Sequence, residues 1–106
     1  MDTIRIDVGF YTALQVDLQD FDFTDVKEVV LTVKNDVSSD SPVLFQRQFT
    51  EPRIYNEFIT PEESRQLRPN AVFDFARVME DGSRFKNGPT GHIQIRRGCG
   101  QCPTTE

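Results

Sequence analysis

The run D-V-K-E-V-V-L-T-V-K, residues 25–34, constrains this chain more than any other stretch. It is the longest apolar, β-branched run in the sequence. Val29, Leu31 and Val33 share one face of an extended strand, and β-branched side chains favour that conformation. Val30 breaks strict alternation, so the second face is expected to be covered as well. A strand covered on both faces belongs in the middle of a packed sheet. Every neighbouring segment must therefore supply either a flanking strand or a second layer.

The remaining periodicities supply both. Residues 1–8 alternate, with Ile4, Ile6 and Val8 against Thr3, Arg5 and Asp7. Residues 13–18 alternate again through Leu14, Val16 and Leu18, and a hairpin across residues 9–12 is expected to join the two. Residues 43–49 return after the turn-rich loop N-D-V-S-S-D-S-P, forming a hairpin with the central run. Residues 53–60 read as another strand. Thr60-Pro61-Glu62-Glu63 then predicts a helix start, with Thr60 as N-cap, Pro61 at N1 and Glu63 closing a capping box. Pro69 limits this helix to a turn or two, anchored by Leu67.

Residues 70–79 form a second strand with two apolar faces, placed beside the central run. Asp81-Gly82 marks a tight hairpin into residues 84–86. Residues 92–96 close the pattern, with Ile93 and Ile95 inward and His92, Gln94 and Arg96 outward. About seven or eight short strands, with turn signals roughly every eight to twelve residues, predict an all-β antiparallel sandwich with one short helical turn. Helices long enough to cross between parallel strands are missing from the pattern.

At 106 residues the chain is sized for one domain, taken as residues 1–97, with residues 98–106 as a flexible cysteine-bearing tail. Nine Phe and two Tyr carry much of the 37% apolar content. Twelve basic against 17 acidic residues leave a net charge of −5. That balance disfavours nucleic acid, whose phosphates need Lys and Arg. No stretch is long and apolar enough to span a bilayer, and the N-terminus lacks a basic-then-apolar leader. The expectation is a chain made and kept in the cytoplasm unless it leaves within an assembly, without a membrane partner.

The order of these pieces carries a resemblance. D-F-T-D-V-K-E-V-V-L-T-V-K is followed by V-L-F-Q-R-Q-F-T-E-P, F-I-T-P-E-E-S-R-Q-L-R-P-N-A-V-F-D-F, E-D-G-S-R-F and G-H-I-Q-I-R-R-G. This order resembles the Ig-like β-sandwich domains of tailed-phage and prophage structural proteins. It is most similar to the N-terminal domain of the siphophage baseplate upper protein, and the resemblance covers residues 22–98. It implies a non-enzymatic virion component, made in the bacterial cytoplasm, that contacts further copies of itself or other tail proteins. It carries over no catalytic residues.

Chemistry-bearing residues are few. Cys99 and Cys102 form a CxxC, which suits half of a tetrahedral zinc site or a redox disulfide. Closing such a zinc site requires two cysteines from a second chain, because His92 is the sole histidine and points outward. The preferred reading is a reduced pair in a tail. Asp17, Asp20, Asp22 and Asp25 cluster without a calcium-loop pattern and read as a solvated acidic edge that guards a strand. Arg96 and Arg97, with Arg84 and Lys86, read either as a small basic patch suited to an acidic partner surface or as ordinary strand-edge charge. Phe10, Tyr11, Phe21 and Phe23 are either an exposed aromatic patch or the rim of the core, and the rim is preferred.

Ser64 and Ser83 have no neighbouring base or acid, so a nucleophilic triad is unsupported. The expected function is assembly through protein contacts, with Val30, Phe21, Phe23, Arg96 and Arg97 as interface candidates. Val30 is expected to be covered by Phe21 and Phe23 or by a neighbouring subunit. The alternatives are a carbohydrate- or surface-binding sandwich and a cysteine-dependent zinc or redox protein. No cofactor or small-molecule ligand is expected.

Overall fold

The computed structural model describes residues 3–38, 40–88 and 90–96. Its elements are β1 (Thr3–Asp7), β2 (Thr12–Asp17), β3 (Val26–Lys34), β4 (Val43–Phe49), β5 (Ile54–Ile59), α1 (Pro61–Arg65), β6 (Val72–Met79), β7 (Arg84–Lys86) and β8 (Gly91–Arg96). The front sheet runs β1-β8-β6-β3-β4, with β7 also on β6; the rear sheet holds only β2 and β5. The second strand thus pairs with the fifth and the third with the sixth, in separate layers. That interlock is the arrangement of an Ig-like β-sandwich.

The central run sits where its two apolar faces require. β3 lies between β4 and β6, antiparallel to both. Val29, Leu31 and Val33 point into the sandwich in register with Phe49, Arg47 and Phe45 of β4. On the other side they meet Arg77, Phe75 and Phe73 of β6. Ile6, Val16, Tyr55, Ile59, Leu67 and Ile93 complete the buried cluster between the layers. The β3–β4 and β6–β7 hairpins form as the turn chemistry predicts, the latter with Gly82 at φ 92°.

Val30 is buried, at 2% exposure, but not by the groups expected. It lies on the outer face of the front sheet, in register with Gln48 and Ala76. Beyond Ala76, Lys86 of β7 is the next residue across. Next along the same face, the Thr32 hydroxyl accepts a hydrogen bond from Gln46 Nε2 at 3.1 Å. Phe21 and Phe23 instead pack edge-on to each other, 4.8 Å between centroids, against the interior cluster to which Val30 does not belong. The chain itself covers Val30, which stands mid-sheet between Gln48 and Ala76.

The predicted β1–β2 hairpin does not form. β1 pairs with β8 in parallel, and β2 pairs with β5 in the other layer. Gly9, at φ 88°, lets the chain cross between layers. The Val8 N–H donates to the Arg96 carbonyl at 3.0 Å, holding the end of β1 to the end of β8. Ile6 and Val16 thus meet across the core rather than within one sheet. One edge pair of an otherwise antiparallel front sheet is therefore parallel.

Candidate functional site

The two flanks of the sandwich are built differently. On the flank beside β4, the inward-pointing Arg47 reaches across to the rear layer. Its Nη2 donates to Glu63 Oε1 at 2.7 Å and to the Phe58 carbonyl at 3.0 Å, and its Nε lies 3.7 Å from Glu57. Glu63 belongs to the predicted capping box: its carboxylate accepts the Thr60 N–H at 3.0 Å, and Thr60 Oγ1 accepts the Glu63 N–H at 3.2 Å. Burial pushes the Glu63 carboxyl up. The hydrogen bonds and charge of Arg47, with the bonds from Thr60, outweigh burial and hold it below its ordinary value.

Ser64, fully buried, donates to the Pro61 carbonyl at 2.7 Å and accepts the Gly9 N–H at 2.9 Å. It is a structural hydroxyl that ties α1 to the layer crossing. Asn35, just after β3, donates to the Gln66 carbonyl and accepts the Arg68 N–H. Tyr55 packs on Phe49 while its hydroxyl donates to the Glu51 carbonyl and accepts the Glu51 N–H, each at 2.9 Å. This flank is closed by side chains that also satisfy the backbone.

The opposite flank is open. A cleft of about 410 Å³ separates the layers there, lined by Ile4 of β1, Leu14, Gln15, Val16 and Asp17 of β2, Leu18, Phe73 and Phe75 of β6, and Asn87. The edge of β2 runs along it. Leu18 N–H donates to the Arg53 carbonyl at 3.0 Å, in continuation of the β2–β5 register. Antiparallel alternation then turns the backbone groups of Leu14 and Val16 toward β5, and those of Ala13, Gln15 and Asp17 toward the cleft side. Among the described residues no strand pairs with that edge.

The outer face of the rear sheet carries a second feature. Tyr11 and Phe58 are 68% and 59% exposed. Phe58 stands opposite Ala13, and Tyr11 immediately precedes β2. Phe10 is also exposed, in the turn before β2.

The sequence-based candidates are scattered over the fold. Phe21 and Phe23 are half-buried at the core rim, as preferred, whereas Phe10 and Tyr11 are exposed rather than rim residues. Arg96 is exposed on the outer face, 3.8 Å from Asp7. His92 is exposed on the same face of β8. Arg97, Cys99, Cys102 and the tail lie outside the described residues. Among the described residues no three His, Cys, Asp or Glu side chains converge as a metal site.

Arg47 and Phe58 were missed as a pair, although both left a signal. Arg47 is a charge on the apolar parity of its strand, and Phe58 is an aromatic on the parity of Asn56. No helix of the described residues is long and apolar enough to cross a membrane.

No protein-family model and no curated protein matches the chain. Among solved structures, murine CRIg is similar over 90% of this chain and 92% of its own, at 12% identity and a TM-score of 0.43.

Proposed function

We propose that this chain is a non-enzymatic assembly component that works through protein–protein contacts, as part of a phage-like tail or baseplate. The observation that carries the contact role is the exposure of two large aromatics, Phe58 on the rear sheet and Tyr11 just before it. Aromatic side chains are enriched at protein interfaces because they offer large apolar area at low entropic cost. The tail or baseplate assignment is supported by the motif order of residues 22–98, including the Thr60–Glu63 capping box and the Asp81-Gly82 hairpin. Such a protein is made in the bacterial cytoplasm and carried in the virion.

Native mass spectrometry of the chain, alone and mixed with the products of neighbouring genes, tests this reading. Oligomers or mixed complexes that Tyr11→Ser and Phe58→Ser dissociate are the expected result. A strict monomer at high concentration, with no binding to those products, overturns it. The same aromatics favour a second reading, stacking on sugar rings at a cell surface. Tyrosine fluorescence titrated with oligosaccharides separates the two, because only the second reading predicts saturation by a free glycan.

A further inference from the structure

We infer that the open flank takes up an extended arm of a partner protein, which pairs with the outer edge of β2 and buries alternate apolar side chains in the cleft. This rests on the assembly reading and names the form of the partner. Three observations converge on it. First, the backbone groups of Ala13, Gln15 and Asp17 face away from β5 and have no strand partner among the described residues. Exposed edges are ordinarily guarded by Lys, Pro or a bulge. β2, T-A-L-Q-V-D, carries only a terminal Asp17, and its register with β5 is unbroken.

Second, apolar side chains of both layers, Ile4, Leu14 and Phe75 among them, line the cleft beside that edge, together with the polar Gln15, Asp17 and Asn87. Ile4, Leu14 and Phe75 stay half-buried although they face inward. A strand beside β2 places every second side chain over them, which is how strand addition gains its specificity.

Third, the widths of the layers select the occupant. The front sheet is five strands across and the rear sheet two. Arg47 links the β5 side to β4, so the overhang lies on the other side, where Ile4 of β1 and Phe73 and Phe75 of β6 face the cleft. A single extended segment fits beneath that overhang. The sheet edge of another folded sandwich brings its own front layer into collision with β1 and β8.

The test uses the full chain and a synthetic peptide of about eight residues, Val alternating with Thr between terminal lysines. A peptide of the same composition in non-alternating order is the control. Amide exchange of Ala13, Gln15 and Asp17 is expected to be fast in the isolated chain. The alternating peptide is expected to slow it by about tenfold or more, saturably, and the control is not. Gln15→Pro removes an outward N–H without touching the ladder to β5 and is expected to abolish the effect. If that variant does not fold, Ile4→Glu, which charges the cleft wall, carries the same comparison.

Absence of binding, or equal protection by the control peptide, overturns the proposal. So does protection already present in the isolated chain and lost when the chain is ended at Arg96, which would make its own tail the occupant. Assembled complexes whose β2 amides still exchange fast leave the assembly reading standing and remove strand addition. Peptide binding by a chain that never assembles does the reverse.

Discussion

The two flanks of this sandwich solve the same problem in opposite ways. Each rear strand has one edge turned away from its partner. At β5 the outward Phe58 carbonyl is taken by Arg47, which also clamps Glu63 and closes the layers. At β2 the outward groups of Ala13, Gln15 and Asp17 face a cleft walled by Leu14, Val16 and Phe75. One flank invests a partly buried ion pair in sealing itself, whereas the other leaves apolar surface and backbone groups available. Those groups are solvated in the isolated chain, so a partner strand there replaces water with ladder hydrogen bonds and covers apolar surface as well.

The comparison can be broken in order of expected effect. Arg47→Met leaves Glu63 partly buried without its cation and the Phe58 carbonyl without its donor. A loss of about 2–4 kcal/mol in urea unfolding is expected, since removing one partner of such a pair strands the other charge. A loss under about 0.5 kcal/mol would mean that this flank is not sealed by the pair.

Tyr55→Phe removes the hydroxyl that holds Glu51 and should lower stability by about 1–2 kcal/mol, read from the same experiment. Leu14→Ala, on the open flank, should cost only about 1 kcal/mol, below the range for fully buried leucines, because Leu14 is half-exposed in the isolated chain. If Leu14→Ala costs as much as Arg47→Met, the open flank is as tightly packed as the closed one and the contrast fails.

A pH profile sharpens the closed side further. The Glu63 pKa is lowered on folding, so its contribution is fully present above the ordinary glutamate pKa. That contribution is lost as pH falls through the lowered value. Wild-type stability should therefore decline in acid below the usual Glu range. The Arg47→Met variant should show a shallower decline there, monitored by thermal unfolding across acid pH. The smallest expected effect is Gln15→Ala, at the open edge. It should stay within about 0.5 kcal/mol, because its side chain faces solvent and its backbone edge is unpaired.

Much of this fold could be read locally. A period of two in β1, β2 and β8 set the inward residues, because successive side chains in a strand must alternate. Thr60, Pro61 and Glu63 specified the helix start, and Asp81-Gly82 specified the hairpin, because caps and tight turns are short-range chemistry. The candidate site was less legible. Phe58 and Arg47 each broke a local pattern, but nothing local said that Arg47 would meet the Phe58 carbonyl. Val30 likewise broke the alternation, and only its place between Gln48 and Ala76 explains its burial.

The sequence by itself determined the strands, the buried faces of β1, β2 and β8, two hairpins, the capped turn and the all-β class. Only the tertiary structure decided that β1 leaves β2 to lie parallel to β8, and that β2 and β5 stand alone as the rear layer. Strand pairing joins residues far apart in the chain, and its register and partners follow from how two layers share one core. The open edge of β2 is a product of that sharing, set by where β1 went rather than by any residue of β2.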